Sequence, residues 1–151
     1  MAAPTLLPGN RFRAYRGTGT PPNLDYDFVC LGTSITLTQT NTFEDATVAD
    51  CDNPVEIPNR KSTVQSRAWS GRIAGTAAAD HLDDLRTDVA SETAIPYAFV
   101  VDPKNGQGVG YWHGDVFVES MEITKSNNGL VNFTLQFRGD GPLSWSTGAL
   151  P

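Results

Sequence analysis

The side chains that could act as nucleophiles, acids or bases are few in this sequence and widely spaced. A nucleophilic triad needs a base, and the only histidines are His81 and His113. His81 lies among aspartates in a helical pattern, which favours a solvated side chain, whereas His113 in GYWHGD (110–115) favours a surface or partner contact. No Gly-x-Ser-x-Gly elbow is present. These residues predict that the protein is not an enzyme.

The residue types that bind metals lack the spacing that a metal site needs. Neither the two cysteines nor the two histidines form the close C-x₂₋₄-C or H-x₃₋₅-H pairs of a structural zinc site. Asp45, Asp50 and Asp52 resemble a calcium loop, but the Gly and the closing Glu of an EF-hand are missing. The glycines of NGQGVG (105–110) precede no lysine and open no helix, so they form no phosphate cradle. We expect no metal and no cofactor.

The tripeptide Arg138-Gly139-Asp140 suggests another function, because it spells a cell-adhesion signal. It would make the protein a β-sandwich binding or adhesion module. Such a tripeptide occurs by chance in a chain of this length on the order of a few per cent of the time, so it carries little weight alone. An adhesin also needs export, and MAAPTLLPGNRFR (1–13) lacks the basic start and apolar run of a signal peptide.

No apolar stretch approaches the roughly 20 residues that span a bilayer, so we expect no membrane anchor and synthesis in the cytoplasm. In that compartment Cys30 and Cys51 are expected as reduced thiols, with a disulfide between them left open as the alternative.

Charge is distributed in blocks along the chain. The net charge of −6 argues against tight binding of nucleic acid, which depends on Lys and Arg neutralising phosphates. Residues 25–56 carry seven acids and no base, residues 57–75 carry four bases and no acid, and residues 76–122 carry nine acids against two bases. The blocks are either solvated faces or complementary patches of a protomer that assembles with itself.

The first half of the chain predicts strands joined by polar loops. RFRAYRG (11–17) indicates a short strand, and GTGTPPN (17–23) a loop. Residues 24–43 form the longest extended candidate, which Gly32 interrupts. In SITLTQTNT (34–42), Ile35 and Leu37 share one face, and hydroxyl side chains at every second position form the other.

The middle of the chain predicts a long loop, a strand and one helix. FEDATVADCDNPVEIPN (43–59) has no period and many acids, which is typical of a functional or interface loop. RKSTVQSRAWSGRI (60–73) predicts a strand with Gln65, Arg67 and Trp69 on one face. TAAADHLDDLRTDVAS (76–91) predicts a helix capped by Thr76 or Asp80, and its expected buried stripe consists of Ala78, Leu82, Leu85 and Val89.

The last third predicts a buried strand and a closing hairpin. IPYAFVV (95–101) is almost wholly apolar, and GYWHGDVFVESMEITK (110–125) changes its apolar face near Glu119, which indicates a bulge. SNNG (126–129) predicts a tight turn, and GDGP (139–142) the turn that ends the last strand. Between them, VNFTLQFR (131–138) alternates without error, with its apolar residues inward. The predicted order is β-β-β-α-β-β-β, an α+β fold that is mainly antiparallel.

This order of elements resembles the major tail tube proteins of long-tailed bacteriophages over residues 11–145. The most specific segment is MEITKSNNGLVNFTLQFRGDGPL (121–143), which is similar to the penultimate strand, turn and last strand of that family. The resemblance implies a β-sandwich or barrel-like protomer with one flanking helix. It also implies a single domain over 1–151, with terminal arms at 1–10 and 146–151 and a long inter-strand loop at 43–59.

The resemblance further implies a structural virion protein. Six copies would form a ring by edge-to-edge sheet pairing, and rings would stack into a hollow tube around a tape-measure protein, between tail-end proteins. The tube would conduct double-stranded DNA without binding it specifically. Inner tubes of contractile tails and secretion systems are the related alternative. The sequence departs from the family in its longer Pro/Gly-rich start and in lacking an appended immunoglobulin-like domain, which implies a smooth tube.

Two sets of candidate site residues follow from this resemblance. The hydroxyl face, which consists of Thr36, Thr38 and Thr40, is expected to face the bore, with acids of other strands adding negative potential. Contacts between subunits or rings are expected at the acids and bases of the charge blocks and of the tripeptide: Glu44, Asp45, Asp50, Asp52, Arg60, Lys61, Arg67, Arg72, Arg138 and Asp140.

Overall fold

A computed structural model describes residues 6–20, 23–29, 32–49, 51–102, 109–125, 129–148 and 150. Within these residues the chain forms seven strands, one α-helix (α1, Ala79–Ala90) and a short 3-10 turn at Gly9–Arg11. The strands are β1 (Phe12–Thr20), β2 (Asn23–Phe28), β3 (Gly32–Val48), β4 (Asn59–Thr76), β5 (Ile95–Val101), β6 (Gly110–Thr124) and β7 (Asn132–Thr147). They form one sheet in the order β2-β1-β5-β6-β7-β4-β3, and every neighbouring pair is antiparallel. The predicted α+β class, mainly antiparallel, is confirmed.

The sheet curls until one of its faces encloses the hydrophobic core. Phe99 on β5 stacks on Phe137 on β7 with ring centroids 5.6 Å apart. Phe12 from β1 and Ile35 from β3 pack against the same core, although these strands lie near opposite ends of the sheet. The described edge strands β2 and β3 do not pair with each other, so the protomer is sandwich-like rather than a closed barrel.

The apolar run of β5 is largely buried, and the alternation along β7 places its side chains as the sequence predicts. Phe133, Leu135 and Phe137 are buried, and the residues between them point outward. The register of β6 against β7 shifts between Val118 and Ser120, which confirms the bulge predicted near Glu119. The bulge keeps apolar residues facing the core on both sides of it because it restores the alternation after one unpaired residue.

Helix α1 covers part of the core with a different face from the one that the sequence predicts. Leu85 is buried as expected, but Val89 is exposed and the buried neighbour is Asp88. The predicted caps are also wrong. Ala78 occupies the N-cap without a side-chain hydrogen bond. The helix begins at Ala79, three residues after Thr76, and Asp80 lies within its first turn.

Several predicted boundaries are wrong because strands continue through polar residues where a neighbouring strand holds them. GTGT (17–20) belongs to β1, residues 43–48 extend β3, and the segment 24–43 is divided between β2 and β3, so four strands precede the helix rather than three. GDGP (139–142) lies within β7, so the predicted turn is wrong, and β7 continues to Thr147 and includes the first two residues of the expected terminal arm. Pro21, Pro22 and most of the SNNG turn lie outside the described residues.

Candidate functional site

The most exposed part of the fold is a two-stranded ribbon formed by the ends of β3 and β4. β7 pairs with β4 only from Ser70 onward, so residues 59–69 pair with β3 alone. We define the arm as residues 43–64, which pair from Phe43 and Val64 out to Val48 and Asn59. The predicted loop at 43–59 is therefore shorter than expected. Only residues 49–58 connect the two strands, and they form the arm tip.

Polar contacts within the arm connect its two strands. Asp45 forms an ion pair with Arg60 at 2.7 Å and accepts a hydrogen bond from Ser62. The amide of Gln65 donates to the carboxylate of Glu44. All of these side chains are exposed. Asp45 and Arg60, which the sequence predicts to contact other subunits, are thus brought together within one chain.

The arm also carries exposed apolar side chains. Phe43 and Val64 lie directly opposite each other, and both are exposed. At the tip, Val55 and Ile57 are 91% and 90% exposed. An isolated two-stranded ribbon is marginally stable in water at best. The arm therefore has the composition of a segment that packs against another surface.

The hydroxyl face lies on the outer side of the curled sheet, away from the core. Thr36, Thr38 and Thr40 are exposed and lie opposite Arg72, Ser70 and Ala68 of β4. Since opposite residues of an antiparallel pair project to the same side, this face continues across β7 and β6. Its further members are Thr134, Gln136, Arg138, Ser120 and Glu122.

The hydroxyl face also carries charged side chains. Among the described residues that the strand register places on this face, the bases are Arg72 and Arg138, and the acids are Glu122, the bulged Glu119, Asp115 and Asp140. Arg138 forms an exposed ion pair with Glu119 at 3.4 Å. The described acids of this face therefore outnumber its described bases.

The backbone of β3 offers a long edge. No described strand pairs with β3 on the side away from β4, and β5 pairs with β6 only as far as Val116. Residues 117–124 of β6 thus have β7 on one side and no described strand on the other. Helix α1 packs beside β6. Unpaired strand edges present backbone N–H and C=O groups to any strand that approaches.

The remaining predicted contact residues are scattered. Arg67 lines a cleft of about 470 Å³ beside Trp69, on the opposite side of β4 from Arg72. Lys61 is exposed opposite Ala46 in the arm, and Asp52 is exposed at the tip. Asp140 lies opposite Asp115 in mid-strand. Asp50 and Cys30 lie outside the described residues.

A buried ionic cluster that the sequence analysis missed joins the helix to the sheet. Asp88 is 2% exposed and accepts two hydrogen bonds from the Arg16 guanidinium, at 2.6 and 2.5 Å. Tyr97 donates to the same carboxylate at 3.3 Å. The hydrogen bond to Asp88 raises the pKa of Arg16, and burial followed by the charge of Asp88 raises the pKa of Tyr97. The only sequence signal for this cluster is Asp88 itself, an acid on the inward side of the helical pattern.

Residues able to do chemistry are not gathered into a site in the described part of the chain. No group of three or more His, Cys, Asp and Glu side chains there could hold a metal ion. His113 shares a hydrogen bond of 3.1 Å with Ser146, and the His81 side chain is outside the described residues. No described helix has the length and apolar character needed to cross a membrane. The notable features are surfaces: the arm, the hydroxyl face and the unpaired edges.

Comparisons with known proteins identify a family and several similar folds. The family model described as phage tail tube protein matches residues 10–145. No curated protein sequence matches the chain. The fold is similar to a chain in the tail of an empty gene transfer agent particle refined with C6 symmetry, with a TM-score of 0.73, 15% identity and coverage of 94% of this chain and 100% of that one.

Two further structures share the fold. The SPP1 tail tube, determined by solid-state NMR and cryo-EM, aligns with a TM-score of 0.70 and 12% identity over 95% of this chain and 80% of that one. A chain in the sheath–tube complex of an extracellular contractile injection system aligns with a TM-score of 0.60 and 10% identity over 95% and 93%. At these identities the likeness concerns the fold.

Proposed function

This chain belongs to the phage tail tube protein family, and we propose that its copies pair edge to edge into rings that stack as the hollow wall of a virion tail. The observation that carries the proposal is the 17-residue strand β3, which has no described strand partner along one edge. An exposed edge of this length is an aggregation hazard in a monomer. Pairing within a closed ring removes that hazard.

Ring closure is proposed to join β3 of one copy to residues 117–124 of β6 in the next. Both segments lack a described strand partner on one side, and both belong to the part of the sheet that carries the hydroxyl face. Their pairing would continue the same face from copy to copy. We propose six copies in a ring, in keeping with the family.

We propose that the hydroxyl face, including Thr36, Thr38 and Thr40, lines the bore. Hydroxyl groups keep water in the channel, and a face whose described acids outnumber its bases gives phosphates no row of cations to bind. Double-stranded DNA would therefore pass without specific contact. The bore would hold the tape-measure protein before ejection, and tail-end proteins would close the tube.

Charged contacts between copies are proposed to use charged residues of β4 and of the arm. Lys61, Arg67 and Arg72 are exposed bases on β4, and Glu44 is an exposed acid of the arm. Asp45 and Arg60 already pair with each other, so their contribution to an interface would require that pair to open or to act as a neutral unit. We propose Asp50, Asp52, Arg138 and Asp140 as further contact residues between copies.

The adhesion alternative receives no support from the fold. Arg138 and Asp140 lie within β7, where Arg138 pairs with Glu119, rather than at the tip of a loop. Proteins of contractile tails and secretion tubes, the other alternative, share the fold, but no contact among the described residues favours that alternative. We further propose that the chain has no enzymatic role and is made in the host cytoplasm before it enters the tail.

Electron microscopy of the purified chain at increasing concentration tests this function. We expect rings or tubes of constant diameter to form, together with a concentration-dependent increase in sedimentation. A monodisperse monomer under all conditions of salt and concentration would contradict the proposal.

A further inference from the structure

The strands β2, β1, β5 and the beginning of β6 carry an aromatic surface that the proposed function does not use. Tyr15 lies opposite Phe28 on one side and Ala98 on the other. This surface points away from the core, because Phe99, the neighbour of Ala98, is a core residue and successive side chains of a strand project to opposite faces. We call it the aromatic face, and its aromatic members are Tyr15, Tyr26, Phe28, Tyr111 and His113.

The aliphatic residues of the aromatic face are shielded from water. Ala98 and Val100 are 0% and 6% exposed, although they lie on the side of β5 that points away from the core. Aromatic rings flank them on both sides: Tyr15 and Phe28 contact each other with ring centroids 5.4 Å apart, and Tyr111 lies opposite Val100. A largely apolar, aromatic surface of this kind is typical of the walls of a ligand site.

A cleft of about 350 Å³ opens in the aromatic face, which is within the range of small-molecule sites. Tyr15 and Tyr26 form its aromatic wall, and Val100 also lines it. Tyr26 lies directly opposite Gly17, so no side chain of β1 stands between its ring and the cleft. Burial is the main cause that raises the pKa of Tyr26, which indicates that its phenol is partly removed from water.

The polar end of the cleft combines hydrogen-bond donors with an acceptor. Arg13 donates to the carboxylate of Asp102 at 3.1 Å, and both residues line the cleft. Arg11 forms a second ion pair with the same carboxylate at 3.5 Å, so two cations share one anion. The Nε atom of Arg13 is buried and has no hydrogen-bond partner within the described chain. This end of the cleft therefore has a net positive charge and a guanidinium whose donors are not all used.

These groups match the chemistry of a saccharide that carries a carboxylate. A sugar ring has an apolar face of C–H groups that stacks on a tyrosine ring, and hydroxyl groups that both donate and accept hydrogen bonds. An arginine beside an aspartate offers donors and an acceptor to neighbouring hydroxyl groups. The excess positive charge favours an anionic substituent, and a guanidinium can bind a carboxylate through two parallel hydrogen bonds.

The aromatic face is turned away from the proposed bore. Phe99 of β5 stacks on Phe137 of β7 across the core, so these two strands belong to opposite walls of the curled sheet. The hydroxyl face is the outer side of the wall that contains β7, and the aromatic face is the outer side of the wall that contains β5. In the proposed tube the first faces the bore and the second faces the surroundings of the virion. Ring closure through β3 and residues 117–124 would leave the cleft uncovered.

We propose that this cleft binds an acidic saccharide, such as a uronic acid unit of a polysaccharide, on the outer surface of the tail tube. Tyr15 and Tyr26 stack against the sugar ring, Arg13 binds its carboxylate, and Asp102 accepts a hydrogen bond from a hydroxyl group. The inference rests on the proposed function for its place on the virion, and it uses no residue of the tripeptide at 138–140. It gives the tube wall a means of holding to a surface coated with polysaccharide.

Saturation-transfer NMR with trigalacturonic acid tests the site, with maltotriose as the neutral trisaccharide. The method detects weak binding to monomers and to large assemblies, so the chain is measured before and after tube formation. We expect trigalacturonic acid to bind in both states, about tenfold more tightly than maltotriose at low salt, because only the acid forms a charge-assisted pair with Arg13. Higher ionic strength is expected to reduce this preference.

Two variants separate the roles of the cleft residues. Tyr26→Ala removes part of the aromatic wall and is expected to weaken the binding of both sugars about five- to tenfold. Arg13→Gln removes one cation while Arg11 remains beside Asp102, and we expect it to abolish the preference for the acid and leave maltotriose binding unchanged. Phe43→Ala, which removes a more exposed ring outside the cleft, is the matched control and is expected to change neither affinity. Thermal unfolding followed by circular dichroism verifies that each variant is folded.

The outcomes separate the inference from the function on which it rests. Tubes that form normally and bind no trigalacturonic acid would overturn the saccharide site and leave the tube function standing. Equal binding of the two sugars, binding confined to monomers, or an equal loss in the Phe43 variant would overturn it in the same way. A chain that binds trigalacturonic acid and forms no ring or tube would overturn the proposed function, while the ligand class of the cleft would be supported.

Discussion

The interaction between Asp88 and Arg16 decides where helix α1 lies. A charge taken out of water is tolerated only when a partner and further hydrogen bonds satisfy it. Asp88 meets this condition through two bonds from Arg16 on β1 and one from Tyr97 on β5. The cluster therefore joins the helix to two neighbouring strands, and removing one member leaves the others buried without compensation.

Asp88→Asn is expected to lower the free energy of unfolding by about 3 kcal/mol, because breaking a buried ion pair costs about 3–5 kcal/mol and Arg16 retains some access to water. Urea unfolding followed by circular dichroism measures the change. The matched control is Asp83→Asn on the same helix, whose partner Arg86 is exposed. That variant is expected to lose no more than about 1 kcal/mol. Equal losses in the two variants would show that the buried cluster has no special role.

The glycine of the Arg138-Gly139-Asp140 tripeptide has a structural reason. A Cβ atom at Gly139 would overlap the indole of Trp69, whose Nε1–H donates to the carbonyl oxygen of Gly141 at 3.0 Å. Three residues of β7, 141–143, lie opposite the single Gly114 between the pairs Asp140–Asp115 and Ser144–His113. The tripeptide thus leads into a wide bulge that a tryptophan holds in place, which explains why β7 continues where a turn was predicted.

Among the elements of the fold, the arm has few contacts that could stabilise it within the monomer. Its ladder beyond Phe43 and Val64 pairs with no other described strand, and its described side chains are almost all exposed on both faces. Core strands such as β5 are buried at five of seven positions. The energetic role of the arm is therefore expected in contacts with other copies.

Replacing residues 44–63 with Asn-Gly closes the hairpin at Phe43 and Val64 with a favoured two-residue turn. We expect the thermal unfolding temperature of the monomer to change little, since no core residue is removed, and tube polymerisation to be abolished. Electron microscopy and sedimentation measure the polymer, with the unmodified chain assembled in parallel. Polymers of unchanged length and yield would contradict an assembly role for the arm.

At the scale of the whole molecule, the curled sheet separates two environments. Its inner face holds the aromatic core, and its outer face carries hydroxyl groups with more described acids than bases. In the proposed ring this outer face repeats around the bore. A change of three residues would then be multiplied by the number of copies in every ring.

Thr36→Lys, Thr38→Lys and Thr40→Lys together place cations on this repeated face. We expect slower genome ejection and lower infectivity, because lysines within a Debye length of about 10 Å attract DNA phosphates. Thr87→Lys, Ala90→Lys and Thr93→Lys, at exposed positions on and after α1, add the same charge elsewhere. Virions that assemble normally and eject DNA at equal rates with either set would refute a bore position for the hydroxyl face.

The sequence alone determined the class of the fold and the facing of its regular strands. Alternation along VNFTLQFR (131–138) and the apolar run of β5 identify buried faces, because side chains of a strand project alternately and each residue carries that information locally. The shift of face at Glu119 is visible for the same reason. The resemblance carried by residues 121–143 also indicates the family, which the match over residues 10–145 confirms.

Tertiary structure decided where strands end and which partners polar residues have. Residues 43–48 and 139–142 look like loops in sequence, yet each belongs to a strand because an adjacent strand supplies hydrogen bonds to its backbone. Asp88 looks solvated until Arg16, 72 positions away, is brought against it. The cleft between Phe12 and Ile35 likewise exists only because the curl brings β1 near β3. Such pairings depend on residues distant in sequence, whereas periodicity reports only the neighbours of each residue along the chain.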